Sequence, residues 1–241
     1  MSEYNITGPN VSLEEKIASP EVFFIQKNIG KPEAKVEIEK KIPKLFKGAA
    51  GVDIEYLEIK DQYNPYIYIK GQYRVNYLKE HIINYNVPHN VVGAKVYDTI
   101  IEIGEPLKGE KVKKRTLDIS IIMKTMFETD SMEMAFDHNG KGMNTKTIMG
   151  WDKESTNANF VESHSDEVRR FGITTDQAID QLRKKLLSKR PSDIKKINEE
   201  VLDISKNWII LSPLFLYTLK HGEVTKQVII DAVTKNFSIL K

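Results

Sequence analysis

Apolar residues recur at every second position along most of this chain, the spacing of half-buried strands. They change to every third or fourth position in one stretch after residue 170. The clearest strand runs from Tyr66. Ile67, Ile69, Tyr73, Val75 and Tyr77 fall on one face, and Tyr66, Tyr68, Lys70, Gln72, Arg74 and Asn76 on the other. Further alternation begins near Val52. It predicts strands at 22–25, at 82–87 and 91–103 (a hairpin through Pro88, His89 and Asn90), and at 117–127. A turn at Thr129, Asp130 and Ser131 returns the last of these as 132–136, and residues 138–142 close that hairpin. Gly104, Pro106 and Gly109 form a loop that runs into a basic segment at 111–115. Residues 33–47 read either as a helix ending near Lys41 or as an irregular strand, because Pro43 interrupts helical spacing.

The helical stretch has a defined start. Thr174 and Gln177 are spaced as a capping box, and Ile173 is placed to staple onto Ala178. Ile179, Leu182 and Leu186 then share one face, which predicts a helix over 175–189 stopped by Pro191. Ser192 caps a second short helix over 192–200, and strands return at 201–205, 207–219, 223–233 and 237–240. Pro65 and Pro213 each open an apolar strand followed by a lysine and a glycine. This echo reads either as a duplicated module or as similar strand composition, with each proline suited to a sheet edge.

Together these elements predict an α+β fold: a mostly antiparallel β N-terminal region followed by a C-terminal helix-plus-β-meander unit. The pattern divides the chain into a flexible tail at 1–19, a β-rich domain at 20–137, a linker or long loop at 138–165, and a C-terminal α+β unit at 166–241. The two larger parts either stand apart or share one core.

Composition narrows the chemistry. The absence of cysteine excludes zinc ribbons, iron–sulfur clusters and thiol nucleophiles. A net charge of +2 singles out neither nucleic acid nor membrane. No signal-peptide pattern opens the chain, and its longest apolar stretch, Trp208 to Leu219, is broken by Ser212 and Pro213. It therefore reads as a cytoplasmic protein without a membrane span. The charge-rich, cysteine-free composition fits thermal adaptation as well as an AT-rich genome.

No phosphate-loop, dinucleotide, zincin, nucleophile-elbow or EF-hand motif occurs, so no cofactor or metal is implied. Two features point to binding. Residues 183–196 gather seven basic side chains against one aspartate; Arg183, Lys184, Lys185, Lys189 and Arg190 are the candidates for phosphate contact, or they complement a helix C-terminus. Tyr66, Tyr68, Lys70 and Arg74 form an aromatic and basic row that would stack and steer bases, or pack against another element or subunit.

Three functions follow. The favoured one is a non-catalytic binding or assembly protein with a protein partner or self-association. The second is a nucleic-acid-binding accessory protein. The third is an enzyme with an unfamiliar site around Asp137, His138, Glu162 and His164.

Overall fold

A computed structural model describes residues 5–47, 53–96, 98–104 and 114–240. The elements, in order, are β1 (Glu14–Ile17), β2 (Glu21–Ile25), α1 (Lys31–Glu39), α2 (Ile42–Leu45), β3 (Glu55–Pro88), β4 (Gly93–Val96), β5 (Thr99–Glu102) and β6 (Lys114–Glu128). They continue as β7 (Met132–Phe136), β8 (Gly142–Met143), α3 (Thr145–Met149), β9 (Lys153–Thr156), α4 (Phe160–Ser163), α5 (Thr175–Leu187), β10 (Lys196–His221), β11 (Val224–Asp231) and β12 (Phe237–Leu240). The loop read at Gly104, Pro106 and Gly109, the run at 111–113 and the start at Val52 lie, Gly104 apart, outside the described residues.

The protein is mostly β, about 52% strand and 16% helix, with ten strands in a mixed sheet. This overturns the expected α+β architecture with its separate helix-plus-meander unit. The physical reason lies in β10. Its C-terminal strands do run antiparallel as β10–β11–β12, but β10 also pairs in parallel with β1 and β2 at the other end of the chain. Ile210, Leu211, Leu214, Phe215 and Tyr217 are all buried, so successive side chains leave water on both faces. A strand covered on both faces belongs inside a sheet, not in a peripheral hairpin. Pro213 falls where the pairing of β10 passes from β2, at Trp208–Leu211, to β11, at Leu214–His221. A residue without an N–H suits that interruption of the ladder.

The chain divides into two compact units. The larger comprises Glu14–Tyr73, Thr129–Lys189 and the chain from Val201 on. In it, α1 and α2 pack Ala34, Ile38, Ile42 and Leu45 against Phe215, Tyr217, Val228 and Ile230 of β10 and β11. Of the two readings left open for 33–47 the helix is the one that forms, ending at Glu39, and Pro43 lies in the first turn of α2, where its missing N–H leaves no bond unmade. A second cluster joins Ile25, Tyr68, Ala135, Ile148 and Ile210.

Helix α5 forms as its pattern requires. The Thr174 hydroxyl accepts from the Gln177 N–H at 3.2 Å, and the Gln177 side chain accepts from the Thr174 N–H at 3.0 Å. Ala178, Ile179, Leu182 and Leu186 are its buried stripe. It comes so close to the sheet that a Cβ on Gly71 would sit 3.3 Å from Leu182 Cδ2, 2.7 Å from Ile204 Cδ1 and 2.8 Å from the Asp203 carbonyl oxygen.

The smaller unit comprises the chain up to Leu13, Arg74–Glu128 and Arg190–Glu200. Its main feature is a two-stranded antiparallel ribbon. The second half of β3 pairs with all of β6 from Arg74↔Glu128 to Pro88↔Lys114. Three sequence expectations change here. Residues 82–87 pair with β6, not with 91–103, which fold on themselves as the β4–β5 hairpin. Segment 132–136 does not turn back on 117–127; β7 pairs with β3 at Ile67–Gly71 and with β8. Residues 196–200 open β10 instead of forming the second helix, with Ile197 held by the Asn10 side chain and the Val11 N–H. These contacts with the N-terminal segment satisfy both backbone groups of Ile197, which outweighs a weak Ser192 cap.

Candidate functional site

The sequence candidates fall into two groups. On β3, Tyr68 is fully buried, its ring 5.0 Å from that of Trp208. Burial first, then the neighbouring Glu133 carboxylate, raises its hydroxyl to about 12. Tyr66 is half-buried and meets Trp151 edge-on at 5.1 Å and His138 at 6.2 Å. Lys70 lies directly across the ladder from Glu133 and binds its carboxylate at 3.1 Å. Burial pushes the Glu133 carboxyl up, but the Lys70 bond and then the Tyr68 hydroxyl more than offset this, leaving it below its ordinary value. In the smaller unit, Arg74 binds Glu199 at 3.0 Å, and Asn76 holds the other oxygen of the same carboxylate at 2.8 Å. Tyr66, Tyr68 and Lys70 are thus each engaged by the larger unit's own side chains, and Arg74 by the smaller unit's.

In the basic segment, Arg183 bonds Glu15 at 2.6 Å and also Asp180. Arg190 makes a two-pronged contact with the buried Glu200, at 3.3 and 3.4 Å. Lys184, Lys185 and Lys189 are exposed at the C-terminal end of α5, where their charge complements the helix dipole. The structure gives the two arginines internal carboxylates and leaves the three lysines facing water.

The acid and imidazole candidates serve local structure. The Asp137 carboxylate accepts from the N–H groups of Asn139 and Lys141, at 2.9 and 2.8 Å, and so shapes the turn into β8. His138 contacts Asn139, and burial followed by the nearby Arg169 charge lowers its pKa. His164 stacks on Phe160 with ring centroids 4.0 Å apart and bonds Ser163. Among the described residues, no three His, Asp or Glu side chains are grouped to hold a metal ion. A cleft of about 670 Å³ beside the start of α5 is lined by Val161, Val168, Arg169, Arg170, Phe171 and Thr174, with no carboxylate or imidazole among its described lining. Arg169 donates to Asn64 at 3.0 Å, so it is tied to the strand behind it.

The ribbon of the smaller unit is a different kind of surface. Directly opposed residues share a face, and the register opposes Ile83 to Ile119, Tyr85 to Leu117, His81 to Ile121 and Lys79 to Met123. Side chains of the intervening positions point the other way. There Asn84 opposes Asp118, Asn86 opposes Thr116, and the Ser120 hydroxyl donates to Glu80. One face therefore gathers Ile83, Tyr85, Leu117, Ile119, Ile121 and Met123, with Lys79 and His81 at one end of it, and the other is largely polar but carries Ile82 and Ile122. The apolar face is open to water: Tyr85 is 48% exposed, Ile121 41% and Met123 40%. Among the described residues, β3 is the one strand paired with β6, so the outer edge of β6 carries no ladder. The β4–β5 hairpin adds Val96, Ile100 and Ile101 as exposed apolar residues.

Sequence reasoning placed strands at both arms of this ribbon but set their face aside. The signal was present in part: Leu117, Ile119, Ile121 and Met123 alternate, with Ile122 breaking the pattern. No family model, curated protein or solved structure matches the chain. No described helix is long and apolar enough to cross a membrane.

Proposed function

We propose that the protein is a non-catalytic binding or assembly protein, and that the ribbon formed by 79–88 and 114–124 is its contact element. One observation carries this reading: the ribbon keeps Tyr85, Ile121 and Met123 open to water beside a strand edge that no described strand pairs. A two-stranded ribbon standing alone is marginally stable, and exposed apolar patches with unpaired edges are the features by which chains recognise one another. The acid, imidazole and arginine candidates elsewhere support the reading, since local bonds already employ them.

The test is sedimentation of the full chain across a concentration series, beside a variant with Tyr85→Ser and Leu117→Ser. The chain is expected to sediment well above its 27.7 kDa monomer mass, and the variant to fall back toward it. Identical sedimentation of the two removes the ribbon as the contact element.

A second reading, contact with nucleic acid, rests on the exposed Lys184, Lys185 and Lys189. A salt series with a single-stranded oligonucleotide separates the two, because phosphate contacts give affinity that falls steeply with salt.

A further inference from the structure

The edge of β6 that no described strand pairs carries a charge pattern that is complementary to itself. We propose that the ribbon's partner is a second copy of this chain, joined edge to edge through β6 in an antiparallel two-fold pair centred on Ile121. This rests on the ribbon being the contact element and names what it contacts. In a two-fold pair each residue meets a fixed partner and the same pairing recurs on the other side of the axis. Centring on Ile121 opposes Lys114 to Glu128, Asp118 to Lys124 and Ile119 to Met123, with Ile121 facing its own copy. Both oppositely charged pairs, each formed twice, then lie on the largely polar face, and the isoleucines and methionine lie on the apolar one.

The neighbouring registers lose this match. Sliding the partner by two residues puts Asp118 opposite Ile122 or Met126, and Lys124 opposite Thr116 or Ser120. Sliding it by one sets the apolar face of one copy beside the polar face of the other. The favoured register turns two ribbons into a four-stranded sheet. Ile83, Tyr85, Leu117, Ile119, Ile121 and Met123 of both copies line one continuous face of it, and three or more strands are what a free-standing sheet requires.

The absence of cysteine makes the register directly testable, since an introduced thiol is the only one in the chain. Opposed residues of an antiparallel pair have Cα atoms roughly 4.5–5.5 Å apart, inside the span of a disulfide. Ile121→Cys is therefore expected to give a covalent dimer on mild oxidation. Ile119→Cys and Met123→Cys are each displaced from their own copy by four residues, about 13 Å along the strand. They are expected to stay single when oxidised alone and to cross-link when mixed.

Charge exchange gives an independent measurement. Lys124→Glu faces Asp118 of the partner and is expected to weaken dimerisation by roughly tenfold, and adding Asp118→Lys is expected to restore it. An Ile121→Cys chain that stays single on oxidation overturns the proposal. So does cross-linking of Ile119→Cys alone as readily as Ile121→Cys, or a double charge variant that dimerises no better than Lys124→Glu. If the Tyr85/Leu117 substitutions abolish association while Ile121→Cys stays single, the ribbon stands as the contact element and the two-fold pairing falls. If neither change affects sedimentation, both fall together.

Discussion

Gly71→Ala should destabilise the protein even though strands ordinarily favour alanine over glycine. Gly71 lies within β3 beneath α5, where the new Cβ would meet Ile204 Cδ1 at 2.7 Å and the Asp203 carbonyl oxygen at 2.8 Å. The isoleucine methyl can swing away; the carbonyl is fixed in the backbone of β10. Forcing a methyl into such a site costs about 1–3 kcal/mol. Replacing a strand glycine returns about 0.5–1 kcal/mol of chain entropy. At the middle of both ranges the net is a loss of about 1 kcal/mol, which in a chain of 241 residues lowers the melting temperature by about 2–4 °C. Calorimetry or thermal circular dichroism reads this directly. Ile204→Val, which removes the nearer clashing methyl, separates the two contacts. If the carbonyl is the obstacle, the double variant melts no higher than Gly71→Ala alone. A melting temperature unchanged or raised by Gly71→Ala, or recovered by Ile204→Val, refutes the argument.

Leu182 is wholly buried on the inner stripe of α5, so Leu182→Ala should cost about 2–5 kcal/mol by denaturant unfolding, and a loss under about 0.5 kcal/mol would mean the stripe does not carry that packing. Burial raises the hydroxyls of Tyr56, Tyr68 and Tyr217 to about 12, against about 10 in the unfolded chain. The folded state then holds these protons more tightly, so their contribution to stability is intact below pH 10 and is lost as pH rises toward 12. Alkaline titration of phenolate absorbance should show a late-ionising fraction in the folded protein that vanishes in denaturant; complete ionisation near pH 10 in both states would contradict this.

Local signals are plain in this sequence and long-range ones are not, for a common reason. The capping box of Thr174 and Gln177 and the stripe through Ile179, Leu182 and Leu186 are set within one helix, and α5 forms where they place it. Alternation after Tyr66 likewise marks a strand. Period alone, however, reports which side chains share a face, not whether that face is covered. Ile67, Tyr68 and Ile69 are consecutive and all buried, because other elements cover both faces of β3. Pairing partners are further from reach. Nothing near Glu14 shows that it aligns with Val201, and nothing near Tyr85 shows that it meets Leu117 across the β4–β5 hairpin. The ribbon's exposed face was legible as alternation on each strand separately, and became a candidate site only when the register set the two apolar rows side by side.

The parallel pairing of β1 and β2 with β10 also orders events during synthesis. Glu14 cannot meet Val201, nor Val22 meet Ile209, until the 187 residues that follow each have left the ribosome. Contacts so distant in sequence carry a heavy loop-closure cost before they return any stability, and folds dominated by them form slowly. β1 therefore waits as an unpaired edge, and β2 waits at least until β9 at Lys153–Thr156 is made, while the β3–β6 ribbon, built from closer segments, is free to zip early. Val22, Phe23 and Ile25, which the folded protein covers, are left in water during that interval, the kind of transient apolar exposure from which aggregation starts.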